Sequence, residues 1–231
     1  MEPASPSRWR PGGDQVIPRP TRWSVADDAG WERAGRRLEH VPLAPLLDAV
    51  AWRGGGAQAI GEIDGARHSA VLVALFDGAL GAEVVLTRRA RHLSSHKGEV
   101  SFPGGRTDPG ETPAETALRE AHEEVQLDPS VVRLVGELDH LSTVVSRSLI
   151  VPVVGHLPER PVLRPGTNEV DRIFTVPLAE LMRSDTYRQE RWGDHDVARA
   201  VHFFELDDET VWGATGRILH QLLTIAAELS S

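Results

Sequence analysis

Three glutamates near the middle of the chain have the residue type and spacing of a metal site. Glu120, Glu123 and Glu124 follow an i, i+3, i+4 pattern, so on a helix their carboxylates project from one face within reach of each other. Like charges at this spacing repel, and a divalent cation would neutralise them. Hard oxygen ligands suit Mg²⁺ or Mn²⁺, which in turn bind phosphates. The spacing therefore predicts metal-assisted phosphate chemistry.

The helix that carries these glutamates is predicted from its own start signals. Thr112 is a good N-cap, Pro113 suits the first helical position, and Glu115 completes a capping box. The apolar face that should pack on a sheet consists of Ala114, Ala117, Leu118, Ala121 and Val125. Arg119 lies four residues before Glu123, so we expect the two side chains to pair and the carboxylate to keep a fixed orientation.

Glycines before the helix decide between two interpretations of the acidic cluster. Three glutamates alone are also typical of a solvated acidic helix face. However, Gly104, Gly105 and Gly110 surround the loop just before the helix, and bare backbone there can approach a ligand closely. This context favours a ligand site over a solvated face.

The densest basic stretch of the chain leads into that glycine loop. It consists of Arg88, Arg89, Arg91, His92, His96 and Lys97. A basic strand end on the surface is the alternative interpretation, and for any single arginine it is the favoured one. For the whole stretch we expect contact with a phosphate-bearing ligand, since arginine can bind phosphate in a bidentate manner. Arg89 and His96 are the first candidates.

The composition is that of an ordinary globular protein and excludes several kinds of chemistry. The 231 residues are 40% hydrophobic and 26% charged, with no cysteine, which excludes disulfides, thiolate zinc sites and cysteine nucleophiles. The sequence has no run of about 18 apolar residues and no signal-peptide core, so we expect a cytoplasmic enzyme. The formal net charge of −9 argues against sequence-independent binding to nucleic acid or to an anionic membrane.

A single α/β domain is predicted at residues 39–231, after an irregular N-terminal extension at 1–38 that contains prolines and three tryptophans. Strands are predicted at 69–77, 82–88, 131–138, 148–156, 173–177 and 200–206, the first two as a hairpin. Further helices are predicted at 43–52, 178–183 and 211–229. These elements do not follow a regular βαβ repeat, which favours an α/β sandwich with a mixed sheet.

The stretch that carries the glutamates resembles the Nudix hydrolase box, G-x5-E-x7-R-E-U-x-E-E-x-G-U, in which U is a bulky apolar residue. The matching residues are Gly105, Glu111, Arg119, Glu120, Glu123, Glu124 and Leu127. Ala121 is smaller than usual, and Gln126 replaces a glycine that would suit a left-handed helix end. Gln in that conformation would cost about 1 kcal/mol, so we expect a slightly altered helix end without loss of activity.

The resemblance implies the Nudix α/β/α sandwich with a mixed β-sheet. It also implies that Glu120, Glu123 and Glu124 bind Mg²⁺ or Mn²⁺, with the backbone carbonyl of Gly105 as a further ligand. These three glutamates and Arg119 form the expected catalytic set. Homodimers are common in the family, so a homodimer is a further expectation.

Residues 86–105, LTRRARHLSSHKGEVSFPGG, resemble the additional signature of the coenzyme A pyrophosphatase subgroup, roughly L-T-x-R-x-x-x-L-x-x-H-x-G-x-V-x-F-P-G-G. Segments 168–178 and 211–219 also look like that subgroup. The resemblance implies hydrolysis of coenzyme A, or a derivative, to 3′,5′-ADP and 4′-phosphopantetheine. The partner is then a small-molecule nucleotide of the coenzyme A type. The candidates for binding it are Arg88, Arg89, His96, Gly104 and Gly105.

Two alternative functions are kept beside this one. The first alternative is a Nudix hydrolase that acts on another nucleoside diphosphate derivative. The second is a catalytically silent Nudix domain that senses nucleotides. The complete set of box carboxylates argues against a silent domain, and the signature at 86–105 argues against another substrate. Glu169, in a turn between two predicted strands, is an additional candidate for a metal ligand or a base.

Overall fold

A computed structural model describes residues 9–26, 31, 39–54, 66–93, 96–143, 147–194 and 198–229. The strands are β1 (Trp23–Ala26), β2 (Arg67–Gly78), β3 (Gly81–Arg89), β4 (Val100–Ser101), β5 (Gly104–Arg106), β6 (Arg133–Glu137), β7 (Leu141–Thr143), β8 (Ser148–His156), β9 (Val170–Pro177), β10 (Tyr187–Trp192), β11 (Arg199–Glu205) and β12 (Thr210–Val211). The helices are α1 (Leu43–Arg53), α2 (Pro113–Val125), α3 (Leu178–Leu181) and α4 (Gly213–Glu228). In these ranges no helix is both long and apolar enough to cross a membrane.

The larger sheet is mixed, as the sequence predicted. Its main order is β4-β3-β2-β8-β6, with β5 paired to β2, β7 paired to β8 and β9 paired to β3. Strands β2 and β3 form the predicted hairpin, which closes where Gly78 pairs with Gly81. Strand β2 runs parallel to β8, whereas β2 and β5 are antiparallel. The sheet therefore combines both kinds of pairing.

Helices cover both faces of this sheet. Along β2, Ala70, Leu72, Ala74 and Phe76 belong to the core that includes the apolar face of α2. The intervening Val73 and Leu75 belong to the core that contains residues of α1 and α4. Successive side chains of a strand point to opposite faces, so β2 separates the two helical layers. The predicted α/β/α sandwich is confirmed.

A second, four-stranded antiparallel sheet has the order β1-β10-β11-β12. Its strand β1 lies in the segment that was expected to be irregular. Three of its four residues are exposed, so the sequence shows no burial pattern there, and backbone pairing with β10 forms the strand instead. The domain boundary at residue 38 stays a prediction, since residues 1–8, 27–30 and 32–38 lie outside the described ranges.

The predicted strands and helices that are long and apolar are found with small shifts at their ends, but several shorter strands were missed. Strands β4, β5, β7 and β12 contain only two or three residues, too few for a period to be recognised. Strand β10 (YRQERW) has four polar or charged residues between its terminal Tyr187 and Trp192. Its Arg188 and Glu190 pair with each other in the interior, which hides the strand from a search for apolar runs.

Candidate active site

Helix α2 begins as predicted and ends in an unexpected way. The amide of Glu115 donates to Oγ1 of Thr112, and the amide of Thr112 donates to Oε2 of Glu115, which completes the capping box. At the other end Gln126 has φ 56° and ψ 31°, the left-handed conformation that the box glycine would take. The expectation of an altered helix end was therefore wrong. The backbone amide of Gln126 donates to the carbonyls of Ala121 and His122, which stabilises this conformation.

The glycine pair of β5 brings bare backbone against two of the three glutamates. The amide of Gly104 donates to Oε2 of Glu124 at 3.1 Å. A Cβ on Gly105 would lie 2.5 Å from Cδ of Glu120, and a Cβ on Gly104 would collide with the backbone of β2. Glycine at 104 therefore allows β5 to lie against β2, and glycine at 105 leaves the space that the carboxylate of Glu120 occupies. The structure thus gathers four predicted site residues in one place.

Burial raises the pKa of both gathered carboxylates. The side chain of Glu124 is only 11% exposed, and burial raises its pKa to about 7, helped by the negative charge of Glu120. Burial also raises the pKa of Glu120, although Arg119 opposes the shift. A divalent cation would remove this repulsion. Mg²⁺ commonly takes one or two carboxylates and completes its shell with substrate phosphates and water, so this pair fits such an ion.

The third glutamate lies farther out. The side chain of Glu123 is 52% exposed, and its Oε2 lies 3.4 Å from Nη1 of Arg119. This confirms the predicted pairing of Arg119 with Glu123. In the part of the chain that the structure describes, no three acidic, histidine or cysteine side chains are already arranged as ligands of one ion. Glu120, Glu124 and the backbone of Gly105 therefore form the inner candidates for a cation, with Glu123 at their exposed edge.

Arg119 connects the loop before α2 to this pair. Its guanidinium donates to both oxygens of Glu111, at 2.7 and 3.1 Å, to Glu120 at 2.9 Å and to the carbonyl of Arg106 at 3.0 Å. Glu111 also accepts from the amide of Asp108. The hydrogen bonds from Arg119 and Asp108 lower the pKa of Glu111 to about 2, so its carboxylate is ionised over the working pH range. Arg119 thus orients Glu120 and fixes the loop.

Of the predicted basic stretch, Arg89 lies beside the carboxylate of Glu124. Its Nη1 lies 3.9 Å from Oε1 of Glu124, and its Nη2 lies 3.1 Å from Oε2 of Glu169. The Nε of Arg89 is buried and has no hydrogen-bond partner among the described residues. Glu169, a minor candidate in the sequence, is therefore a neighbour of the site.

Two other predicted site residues lie apart from the carboxylates. Arg88 donates to Asp171 and to the fully buried Glu209. The half-exposed His96 has its Nδ1 2.7 Å from Oε2 of Glu99, and among the described residues no hydrogen bond or ion pair joins its side chain to Glu120 or Glu124. The structure thus brings Arg89, Gly104, Gly105, Glu120 and Glu124 together, but not Arg88 or His96.

Sequence reasoning missed the loop that holds the C-terminal end of α2. The amide of Arg164 donates to the carbonyl of Val125 at 3.1 Å, and the amide of Gly166 donates to that of Glu124 at 2.9 Å. A Cβ on Gly166 would collide with the carbonyl oxygen of Glu123. The Arg-Pro-Gly sequence at 164–166 was the available signal, because a glycine after proline in a loop often marks a close backbone approach.

The fold and the clustered carboxylates together define an α/β/α domain with a candidate cation site, and comparisons with known proteins identify the family. The model of the NUDIX domain matches residues 66–211. Nudix hydrolase 3 of Caenorhabditis elegans is 37% identical over 161 residues, which cover 62% of this chain and 66% of that protein. The uncharacterized Nudix hydrolase NudL of Photorhabdus laumondii is 37% identical over 160 residues, which cover 69% of this chain and 84% of that protein. The chain belongs to the Nudix hydrolase family.

Two further comparisons show how far the similarity extends. The chloroplastic Nudix hydrolase 22 of Arabidopsis thaliana is 38% identical over 168 residues, which cover 69% of this chain but only 55% of that protein. Among solved structures, a MutT/nudix family protein from Enterococcus faecalis is 17% identical, with a TM-score of 0.48 and coverage of 86% of this chain and 72% of that one. The chain thus spans less than two thirds of the length of some relatives.

Proposed function

We propose that the protein hydrolyses the diphosphate bond of coenzyme A or its derivatives in a reaction that depends on Mg²⁺ or Mn²⁺. The products are 3′,5′-ADP and 4′-phosphopantetheine, or its acyl form. Family membership supports action on a nucleoside diphosphate derivative. The observation that carries the proposal is the pair of the partly buried Glu120 and the buried Glu124 against Gly104 and Gly105, with Arg89 beside Glu124. The choice of coenzyme A rests on the resemblance of residues 86–105 to the subgroup signature.

The two inner carboxylates and the backbone of Gly105 would hold the cation, and Glu123 would serve at the exposed edge. When bound, Mg²⁺ or Mn²⁺ neutralises charge on the phosphate oxygens and lowers the pKa of water. Arg119 keeps Glu120 in the required orientation through its hydrogen bonds. One of the glutamates accepts the proton of the attacking water as the water oxygen bonds to phosphorus and the anhydride P–O bond breaks.

Arg89 would bind the diphosphate. Its side chain is 27% exposed, and a phosphate oxygen is a strong acceptor for a guanidinium. His96 stays a candidate for a more distant contact with the nucleotide. Arg88 also stays a candidate for a more distant contact, and in the structure its guanidinium pairs with Asp171 and Glu209. The homodimer and the cytoplasmic location expected from the sequence stay predictions.

The proposal is tested by incubating the protein with Mg²⁺ or Mn²⁺ and, separately, coenzyme A, acetyl-coenzyme A, ADP-ribose, NADH and nucleoside triphosphates, with chromatographic separation of the products. Release of 3′,5′-ADP from coenzyme A, faster than turnover of the other compounds, is the expected result. Preferred turnover of another nucleotide would replace the substrate assignment. A protein that binds nucleotides but cleaves none of them would be a silent domain.

A further inference from the structure

We propose that Glu169 is a positioning residue that holds the guanidinium of Arg89 back from Glu124 and so keeps Glu124 free for a cation. This inference rests on the metal site of the proposed function and does not depend on which nucleotide is the substrate. It assigns to Glu169 a role other than the metal ligand or base that the sequence suggested.

The guanidinium of Arg89 lies between two carboxylates and binds them unequally. Its Nη2 donates to Glu169 at 3.1 Å, whereas its Nη1 stays 3.9 Å from Glu124. A charge-assisted hydrogen bond between these groups is normally about 2.8 Å long, so the distance to Glu124 is longer by about 1 Å. Arg89 is thus bonded to the outer carboxylate and only near the inner one.

The backbone of Glu169 is held in place beside Arg89 by two hydrogen bonds. Its carbonyl accepts from the amide of Ala90 at 2.7 Å, and its amide donates to Oγ1 of Thr167 at 3.3 Å. Three residues earlier, the amide of Gly166 donates a hydrogen bond to the carbonyl of Glu124 at the end of α2. One short segment therefore attaches to both the residue after Arg89 and the helix of Glu124. These backbone hydrogen bonds fix where Glu169 lies relative to both Arg89 and Glu124.

Loss of the Glu169 carboxylate would leave Arg89 with Glu124 as its nearest anionic partner. Glu124 is largely buried, where an ion pair is stronger than at the surface because water screens it less. Arg89 would then move the remaining distance and form a direct pair. Since the cation must use the same carboxylate, the pair would compete with metal binding.

Two other roles for Glu169 make a different prediction. As a metal ligand, or as a charge acting through space, it would strengthen metal binding whether or not Arg89 were present. A positioning residue acts only through Arg89. A double-mutant cycle separates these cases, because an effect that passes through Arg89 disappears when Arg89 is removed.

The experiment measures Mn²⁺ affinity by isothermal titration calorimetry, without nucleotide, for the wild type, Glu169→Gln, Arg89→Gln and the double variant. Glu169→Gln should weaken Mn²⁺ binding about tenfold, the lower range for residues that orient metal ligands. In the Arg89→Gln background the same change should have a much smaller effect. Asp171→Asn is the matched control, because this carboxylate on β9 pairs with Arg88, and its removal should leave Mn²⁺ affinity unchanged. Thermal unfolding of each variant verifies the fold.

An equal loss of affinity in both backgrounds, or no loss in the single variant, would overturn the positioning role. Coenzyme A turnover by the wild type is measured separately. If the cycle behaves as expected but coenzyme A is not cleaved, the substrate assignment fails and the role of Glu169 stands. If coenzyme A is cleaved but the cycle shows no coupling, only the role of Glu169 fails.

Discussion

A Cβ built on Gly105 would lie 2.5 Å from Cδ of Glu120, so this carboxylate rests directly on bare backbone. Real Cβ atoms essentially never come so close to another heavy atom. The glycine that opens the Nudix box and the first glutamate of its acidic cluster are therefore parts of one site. The glycine provides the space that the carboxylate occupies.

Gly105→Ala should impair activity without destabilising the fold. The added methyl group meets the far end of a flexible side chain, which can rotate away at little cost. The displaced carboxylate of Glu120 would then no longer be placed for the cation, and a shift of about 1 Å can reduce turnover about 100-fold. Steady-state kinetics with coenzyme A and thermal unfolding measure the two effects. Gly136→Ala is the control, since the nearest atom to its Cβ would be the Val50 carbonyl oxygen at 3.6 Å. Full activity of Gly105→Ala would show that the contact has no functional role.

Arg119→Lys should reduce kcat by about 10- to 100-fold. Lysine keeps the charge, but its single ammonium group cannot bind Glu111, Glu120 and the carbonyl of Arg106 in the geometry of the guanidinium. Glu120 and the loop before α2 would lose their common support. The measurement is the kinetics of coenzyme A hydrolysis, with Arg133→Lys on the exposed side of β6 as the control. The account would be contradicted if both variants retained the kcat of the wild type.

The sequence predicted α2 and its carboxylates because both depend on local signals. The capping box and the i, i+3, i+4 spacing lie within the helix itself, and no distant contact is needed to recognise them. The glycine strand β5 could not be recognised, since three residues carry no period. Its position depends on pairing with β2, which is distant in the sequence.

The basic stretch shows how neighbouring residues of one strand come to have different partners. Arg88 and Arg89 follow each other in β3, where successive side chains point to opposite faces, and the register with β9 shifts between them. Arg89 accordingly reaches Glu169, whereas Arg88 reaches Glu209 on the other side. Strand alternation was available from the sequence, but the partners of each arginine were not. Those partners come from β9 and from the residues just before β9 and β12.

Glu209→Ala should destabilise the protein by about 3 kcal/mol. Glu209 is fully buried and accepts from Arg88 at 2.8 Å, Arg172 at 2.8 Å and Gln15 at 2.6 Å. Its removal would leave the surrounding donors without their common acceptor. Asp208→Ala is the matched control, because Asp208 also pairs with Arg172 but is mostly exposed, and its loss should cost at most about 1 kcal/mol. Denaturant unfolding measures both, and equal free energies of unfolding for the two variants would contradict the assigned role.

The buried His202 should make the protein less stable in acid. Burial lowers its pKa to about 3 from an ordinary value of 6.5, with the positive potential of His220 and Arg217 adding to the effect. The stability that this group contributes is complete above pH 6.5 and is lost as the pH falls towards 3, because the unfolded chain binds the proton first. His202→Gln should flatten this decrease in unfolding free energy, and His68→Gln at the surface of β2 should not. An unchanged slope in His202→Gln would contradict the assignment.

The most direct measurement of the central claim is the release of 3′,5′-ADP from coenzyme A by the wild type and by Glu124→Gln, each with Mn²⁺ and with a chelator. Glutamine keeps the shape of the side chain and can still accept the Gly104 hydrogen bond, but it removes the negative charge that the cation requires. The account predicts metal-dependent release by the wild type and a loss of several orders of magnitude in Glu124→Gln, with the thermal unfolding midpoint preserved. Release by Glu124→Gln at the wild-type rate, or release by the wild type in the presence of the chelator, would contradict it.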